Sequence, residues 1–358
     1  AKLILSYPVW KGTLSIGTEF TSSRIRGEYA NAEQYVAASN TKIEEHNIAG
    51  FAEYGLKFGD ITVNAGVRYE NVKSDYYSFG QWQAGPSRRY SDWFPSASMS
   101  WNSGKWALQL AYTCKTQRPS YNSLRDEVQY DNRYTYEGGN PYLRPCIINN
   151  VDLNVVYDWL SFNAGYNYID KPMVWIATLY QGKDITFMRN VNFNHSKDVY
   201  VSIVASPRFG WYNPMAEIDY TQSFLCIDGF DINKPTNRPC FNFRLNNRFN
   251  ITSTLKAFLN MRYKTSRLYD LQYSKQFAQV DVKFTKSFLN DALVLGVYAN
   301  DLFKTDKERW TMYGNRNVMT KDCYGYTRCV GMTLSYNFNT AKSTYKDTGA
   351  GNTEKNRL

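Results

Sequence analysis

The 358-residue sequence predicts an all-β protein, a transmembrane antiparallel up-and-down β-barrel of about fourteen strands. Three observations support this fold class. Apolar and polar residues alternate along most of the chain, short and long connections alternate between these segments, and aromatic residues border the short connections. The alternative is a soluble β-protein, because the strands of a sandwich also alternate.

The alternation is clear in residues 329–339, CVGMTLSYNFN, which we interpret as the last strand. One face of this strand is predicted to meet lipid: Val330, Met332, Leu334, Tyr336 and Phe338. The other face is small or polar and is predicted to meet the lumen: Gly331, Thr333 and Ser335. The same period of two recurs at 61–70, 105–114, 241–249 and 278–286, with whole charges such as Arg68 and Asp281 on the polar face. Such charges suit a wet lumen, although a sandwich would carry them on its solvent side.

The connections separate by length. Six are tight, at 57–60, 102–105, 157–160, 208–211, 251–254 and 289–292. Seven are long, near 25–45, 73–91, 117–145, 169–190, 225–239, 266–275 and 304–327. Short turns on one side and long loops on the other are typical of outer-membrane barrels. A soluble sandwich has no reason to separate its loops in this way.

Aromatic residues border the short turns: Trp101, Trp106, Tyr157, Trp159, Trp211, Tyr212 and Phe288. Amphipathic rings at this level form the girdle at a membrane–water boundary, whereas in a soluble sheet they would be hairpin aromatics. We therefore expect three segments: a periplasmic lead-in at 1–11, the barrel with long extracellular loops at 12–338, and a polar disordered periplasmic tail at 339–358. Because a sheet in hydrocarbon must close, either these strands close by themselves or other strands complete the barrel.

The composition argues against several other functions. The net charge is +10, but Lys and Arg are scattered, so no nucleic-acid partner is expected. The chain has two histidines, His46 and His195, and the best catalytic group that can be assembled is His46 with Glu44 or Glu45. Rim histidines are usually only solvated, and no residues have metal-ligand spacing. We predict a protein that is not an enzyme and has no cofactor.

The six cysteines form three pairs that bracket long loops: Cys114 with Cys146, Cys226 with Cys240, and Cys323 with Cys329. Strands joined by a loop are neighbours, and an exported protein passes through an oxidising compartment, so disulfides are possible. Cys226–Cys240 is the favoured pair. Cys114 has the lipid-facing parity of its strand and can instead be a small apolar residue.

Five sequence motifs indicate a family more specifically than the alternation does: YSDWFPSASMSW (90–101), QRPSYNSLRD (117–126), GGNPYLRP (138–145), VYANDLF (297–303) and MTLSYNFN (332–339). In this order they resemble the C-terminal barrel of TonB-dependent outer-membrane receptors, in particular the outer-membrane-protein β-barrel family common in Bacteroidetes. The positions that carry the resemblance are Phe94, Pro95, Arg118, Pro119, Gly139, Asn140, Pro141, Arg144, Pro145 and Phe338. One departure is Cys146, where the family usually has Glu.

The resemblance implies a receptor in the outer membrane of a Gram-negative bacterium, in contact with outer-membrane lipid. It implies a small extracellular ligand captured by the loops, with Trp175, Tyr180, Trp310 and Tyr313 as candidate ligand-stacking aromatics, and uptake driven by the TonB system through an N-terminal plug absent from this chain. A surface lipoprotein is a further expected partner. Such barrels have about 22 strands, so about eight would be missing here. The alternatives are a self-contained fourteen-stranded channel and a surface binding or adhesion barrel.

Overall fold

The structure is a computed structural model that describes residues 1–30, 33–235, 237–338 and 357. Its strands, in chain order, are β1 Lys2–Val9, β2 Gly12–Tyr29, β3 Ser39–Phe58, β4 Ile61–Ser78, β5 Gln81–Trp82, β6 Arg88–Ser103, β7 Trp106–Gln117, β8 Val128–Asn132, β9 Thr135–Gly138, β10 Cys146–Tyr157, β11 Leu160–Asp170, β12 Met173–Leu179, β13 Thr186–Asn192, β14 His195–Ala205, β15 Tyr212–Leu225, β16 Cys240–Asn250, β17 Leu255–Lys264, β18 Arg267–Tyr269, β19 Gln272–Ser274, β20 Phe277–Phe288, β21 Leu293–Asn300, β22 Lys307–Tyr313, β23 Val318–Tyr324 and β24 Cys329–Tyr336. A 3₁₀ turn, Asn122–Leu124, lies between β7 and β8. No helix in the described part of the chain is long and apolar enough to cross a membrane.

The main sheet is an antiparallel, up-and-down array, as predicted. Its order is β1-β2-β3-β4-β6-β7-β10-β11-β14-β15-β16-β17-β20-β21-β24, with the short β5 added to β4. Among the described residues the array has fifteen long members rather than fourteen, because the expected lead-in at 1–11 forms β1, which pairs with β2 along its whole length. The sheet is open, since β1 and β24 each have one neighbour in the described chain.

The two ends of the sheet differ as the sequence predicts. All six predicted tight turns are present, and a seventh joins β1 to β2 at Trp10 and Lys11. Gly59, Gly104 and Gly210 have φ of +58°, +57° and +60°, so these turns use the left-handed backbone that glycine adopts without steric cost. The seven remaining connections of the main sheet are all at the opposite end and are long.

Burial along the strands has the opposite sense to that of a soluble protein. In β4 the apolar side chains of Ile61, Val63 and Val67 are 37%, 40% and 39% exposed, whereas Glu70 on the other face is buried. A water-soluble sheet would hide such apolar residues, so this outer face suits lipid. Both faces of the edge strand β24 are open, but Met332 pairs with the outward-facing Val297, which assigns its apolar face to the lipid side.

Aromatic rings gather at the tight-turn end of the sheet. The rings of Trp106 and Tyr157 lie 4.4 Å apart, and those of Tyr212 and Phe249 lie 5.0 Å apart. Trp211 beside them is largely exposed on the outside. This arrangement matches the predicted girdle at the boundary of the bilayer.

The long connections build their own structure above the barrel wall. Two small four-stranded sheets form, β12-β13-β9-β8 and β18-β19-β22-β23. They are joined where the Asn315 amide donates to the Ala177 carbonyl at 2.9 Å and where Met188 and Met312 are buried in a shared cluster. We call these two sheets the loop cap. The hydrophobic clusters of the protein therefore lie under and between the loops.

The predicted disulfides are not formed, because all six cysteines are described and are free. Cys240 pairs with Thr221 in the β15–β16 ladder, whereas Cys226 lies five residues further along the chain from Thr221. An offset of five strand residues is about 16 Å, and a disulfide needs Cα atoms within about 7 Å. Cys114 likewise faces Asn149 rather than Cys146.

The polar tail predicted at 339–358 lies outside the described residues, apart from Arg357. Arg357 is buried, and its guanidinium Nε donates to the Pro119 carbonyl at 2.9 Å. The sequence predicted a disordered periplasmic tail for this segment. The buried position of Arg357 among lumenal side chains was not part of that prediction.

Candidate functional site

The connection between β7 and β10, residues 118–145, folds back into the lumen. We call it the motif loop because it contains nearly all of two of the five sequence motifs. Its residues Tyr121, Leu124 and Leu143 are buried against Ile43 and Tyr76 of the wall. The turn at 120–123 is local, since the Ser123 amide donates to the Ser120 hydroxyl at 3.1 Å. Burial of these apolar groups holds the loop inside the sheet rather than above it.

Arg118 anchors the start of the motif loop to the wall. Its side chain is buried, and its guanidinium pairs with Glu70 and donates to the Tyr90 hydroxyl at 3.2 Å. Arg68 continues the network, with Nε 2.6 Å from Glu70 and Nη2 3.2 Å from Glu19. A buried charge is tolerated only when it is paired and hydrogen-bonded in this way. The family-motif arginine therefore has a structural partner in the barrel wall.

Asp126 anchors the same loop at the upper end of β3 and β4. Its carboxylate accepts hydrogen bonds from the Ser39 hydroxyl, from Thr41 Oγ1 at 2.6 Å and from Ser78 Oγ at 3.0 Å. Burial raises the pKa of the Asp126 carboxyl, but the hydroxyls of Ser39, Thr41 and Ser78 outweigh it and hold the pKa below its usual range. The carboxylate is thus ionised at neutral pH and ties the loop to two strands.

The second half of the motif loop is held by backbone contacts. A Cβ on Gly139 would lie 2.2 Å from the Arg125 carbonyl oxygen, so only glycine fits this close approach. The Asn140 amide side chain donates to the Asn190 carbonyl at 3.0 Å, and the Pro141 carbonyl accepts from Arg88 Nη2 at 2.5 Å. These motif positions hold the loop in place.

Five other predicted motif positions lie on the motif loop, on β6 and beyond β24. The Arg144 amide donates to the Asn192 side chain at 2.8 Å, which ties the motif loop to β13. Pro145 lines a small cleft beside Tyr76 and Tyr90, and the buried Phe94 faces the inside of β6. Pro95 lies on the outer side of β6 opposite Val67, and Phe338 is 76% exposed beyond β24.

A cavity of about 820 Å³ lies between the wall, the motif loop and the loop cap. The wall contributes Lys115 and Ile148, the motif loop contributes Ser120, and the cap contributes Asn190 and Asp270. The lining mixes charged, amide, hydroxyl and apolar groups. A cavity of this size and chemistry suits a small polar ligand better than a hydrophobic one.

Asp270 reaches this cavity from the tip of the β18–β19 hairpin, where its φ of +50° turns the chain. Burial, with the nearby Asp198 carboxylate, raises the pKa of Asp270 to about 6, although Lys234 and Arg267 act in the opposite direction. Its charge therefore changes near neutral pH.

Asp301, within the VYANDLF motif, fixes the start of the connection after β21. Its carboxylate accepts from the Thr305 amide at 2.8 Å, from the Thr327 hydroxyl at 2.8 Å and from the Tyr324 hydroxyl at 3.3 Å. Burial raises the pKa of Asp301, but these hydrogen bonds outweigh it and lower the pKa below its usual value. Asp301 is a structural residue of the loop.

The four aromatics predicted to stack on a ligand are half-buried in the loop cap. Trp175 and Trp310 pack against the same cluster, and Tyr180 packs against Tyr136 and Phe187 elsewhere. Tyr313 lies at the end of β22, where its amide donates to the Leu271 carbonyl at 2.9 Å. None of the four lines the cavity of about 820 Å³ described above, but Trp175 lines a second cavity of about 260 Å³ together with Asp270.

Sequence reasoning did not identify three inward-facing carboxylates, the buried Glu45 and the half-buried Asp126 and Asp270. Glu45 was considered only as a partner of His46, but adjacent strand residues point to opposite faces, and His46 is exposed beside Phe20. A signal was available for Asp126, because it is the last residue of the motif QRPSYNSLRD. Asp270 lies in a polar turn without a distinguishing neighbour.

The exposed apolar faces, the aromatic girdle and the polar interior together define an outer-membrane β-barrel protein. The sequence matches the outer membrane protein beta-barrel family over residues 1–336, and the chain belongs to that family. Its location is accordingly the outer membrane. A search among curated proteins found no match.

Several solved structures share the fold. The copper transporter OprC superposes with a TM-score of 0.64 at 14% identity, covering 94% of this chain and 56% of that one. The ferric yersiniabactin uptake receptor FyuA from Yersinia pestis gives 0.63 at 14%, covering 94% and 53%. The FrpB iron transporter from Neisseria meningitidis gives 0.58 at 15%, covering 93% and 53%. The chain thus shares its fold with these two transporters and this uptake receptor, and it spans about half of their length.

Proposed function

We propose that this chain is the C-terminal part of the barrel of a TonB-dependent receptor that imports a small extracellular nutrient. The observation that carries the proposal is the cavity of about 820 Å³ between the barrel wall, the inward-folded motif loop and the loop cap. A ligand entering from the loop side would meet this cavity before the deeper part of the lumen. Its mixed polar lining favours a chelated metal or a peptide over a hydrophobic solute.

The open sheet supports a receptor assembled from more strands than these fifteen. The outer edges of β1 and β24 have unpaired backbone groups in the described chain, and hydrocarbon cannot satisfy them. We infer that strands outside this chain pair with both edges. A self-contained channel of these strands alone would need β1 and β24 to pair with each other, which is not the arrangement described here.

The energy source and the partners follow from the same proposal. The structural neighbours are named as transporters of copper and iron or as a siderophore uptake receptor, so a chelated metal is the first ligand class to test. An N-terminal plug and the TonB system would drive release through the lumen. The surface lipoprotein partner stays a prediction.

Uptake measurements test the proposal directly. A strain that lacks the protein is compared with its parent for uptake of radiolabelled ferric catecholate, copper(II) and a tripeptide, each with and without a functional TonB. We expect uptake of one probe to fall in both the deletion strain and the TonB-deficient strain. Unchanged uptake of every probe in the deletion strain would contradict the proposal.

A matched pair of variants tests the role of the cavity. Ile148 lines the cavity from β10, and Val151 on the same strand faces outward and is 45% exposed. Ile148→Trp narrows the cavity, so complementation with this variant should leave uptake at least about ten-fold lower than with the wild type. Val151→Trp adds the same ring on the lipid side and should restore uptake fully. Equal uptake by the two variants would show that the ligand does not pass through this cavity.

A further inference from the structure

Arg357 is a buried cation on the lumenal side that lies outside the strands of the barrel. The guanidinium of Arg357 lies against Glu45 of β3, with Nη1 2.5 Å from Glu45 Oε1 and Nη2 3.4 Å from Oε2. The two side chains are 7% and 5% exposed. This is the two-pronged contact that a planar guanidinium makes with a carboxylate.

The motif loop supplies the other contacts of this guanidinium. Arg357 Nε donates to the Pro119 carbonyl at 2.9 Å, and Nη1 lies 3.3 Å from the Tyr121 hydroxyl. The Tyr121 ring centre is 4.2 Å from the central guanidinium carbon, within the range of a cation–π contact. The Tyr121 amide donates to the Arg357 carbonyl at 3.0 Å. A carboxylate, a carbonyl acceptor and an aromatic face thus converge on one planar cation.

Glu45 needs such a partner, because a buried carboxylate without a cation is unfavourable. Arg118 and Arg88 also act on Glu45 through their charges, but the guanidinium of Arg118 donates to Glu70 and Tyr90 and that of Arg88 to the Pro141 carbonyl, whereas Arg357 contacts Glu45 directly. A lysine would satisfy the charge but would lack the donors in a plane that reach Glu45 and Pro119 together. The geometry therefore selects arginine.

We propose that Glu45, the Pro119 carbonyl and the Tyr121 ring form a binding site for an arginine side chain in the lumen, and that Arg357 is a tethered occupant which an external arginine peptide displaces. The site adjoins the large cavity, since Arg357, Pro119 and Ser120 also line that cavity. An arginine side chain held in the cavity can therefore reach Glu45 once Arg357 leaves. This proposal concerns binding and does not depend on the uptake function.

The test uses the protein purified from outer membranes, in detergent, and two probes titrated by calorimetry. The probes are the tripeptide amides Gly-Arg-Gly and Gly-citrulline-Gly, which differ only in that the citrulline urea is neutral. In Arg357→Ala the site is vacated, so this variant should bind the arginine peptide at least about ten-fold more tightly than the citrulline peptide and than the wild type does. Equal affinity of Arg357→Ala for the two peptides would overturn the proposal.

Two further variants in the Arg357→Ala background locate the site. Glu45→Gln should weaken binding of the arginine peptide at least about ten-fold. Glu44→Gln is the control, because Glu44 is the adjacent residue and instead pairs with Arg24 at 2.7 Å. If Glu45→Gln does not fold, Tyr121→Leu removes the aromatic face and should weaken the same binding several-fold. An equal loss with Glu44→Gln, or no loss with the variant of Glu45 or Tyr121 that folds, would place the peptide elsewhere.

Discussion

Replacing Asp126 by alanine should release the motif loop from the wall while leaving the barrel intact. The substitution removes three hydrogen bonds to a charged acceptor, from the hydroxyls of Ser39, Thr41 and Ser78. Hydrogen bonds to charged groups contribute about 1.5–3 kcal/mol each. The sum is an upper bound, because Ser39 and Thr41 lie 3.3 Å apart and can hydrogen-bond to each other once the carboxylate is gone.

We therefore expect a loss of about 3 kcal/mol in the free energy that closes the motif loop, or about 100-fold in its opening equilibrium. Hydrogen exchange followed by mass spectrometry measures this quantity. The Asn140 amide, which donates to the Ser123 carbonyl at 2.7 Å, and the Gly139 amide, which donates to the Glu127 carbonyl at 3.3 Å, report closure of the loop. Peptides from β10 and β11 report the barrel and should not change.

The control is Asp131→Ala, since Asp131 lies exposed in the same loop. The reasoning would be refuted by wild-type exchange of the loop in Asp126→Ala, or by an equal acceleration in Asp131→Ala. A pH series adds a second check. Because the folded pKa of Asp126 lies below its ordinary value of 3.8, its stabilisation is present above that value and is lost as pH falls through the folded pKa. Loop exchange corrected for intrinsic rate should therefore be constant from pH 5 to 7.

Three further predictions concern other residues. The folded pKa of Asp270 is about 6, against an ordinary value of 3.8, so the β18–β19 hairpin is stabilised at low pH. Its free energy of closure should fall by about 1 kcal/mol between pH 5 and 7. Hydrogen exchange of the hairpin should show this loss, and Asp270→Asn should remove it. Arg118→Met leaves Glu70 with one cation fewer and should lower the free energy of unfolding by about 2 kcal/mol in a denaturant titration; an unchanged midpoint would contradict the role of this ion pair. Alkylation in denaturant without reductant should label six thiols, whereas a Cys226–Cys240 bridge would leave two unlabelled.

Much of the barrel could be predicted from the sequence because strand physics is local. Side chains alternate with a period of two, so a strand with one face in lipid has apolar residues at every second position. Ile61, Val63 and Val67 in β4 are an example. Tight turns leave similar marks through glycines such as Gly59 and Gly104. Residues 1–11 were expected as a lead-in, whereas Lys2–Val9 pair with β2 along their whole length; the apolar Leu3, Leu5, Tyr7 and Val9 at every second position were a signal for this strand.

The candidate site depended on contacts between residues far apart in the chain. Nothing near Glu45 indicates that Tyr121 and Arg357 will meet it, because those contacts span 76 and 312 residues. The Cys226–Cys240 pair illustrates the same limit. Cys240 pairs with Thr221, and β15 continues beyond Thr221 towards Cys226, so the relative lengths of the two strands keep the thiols apart. The sequence by itself determined the alternating wall, the ends of its strands and the family, because these follow from local patterning and motifs. Only the tertiary structure decided that the motif loop folds inward and places Tyr121 against the buried Glu45, beside a cavity that Asp270 reaches from the loop cap, because the free energy of pairing a buried charge depends on which distant groups surround it.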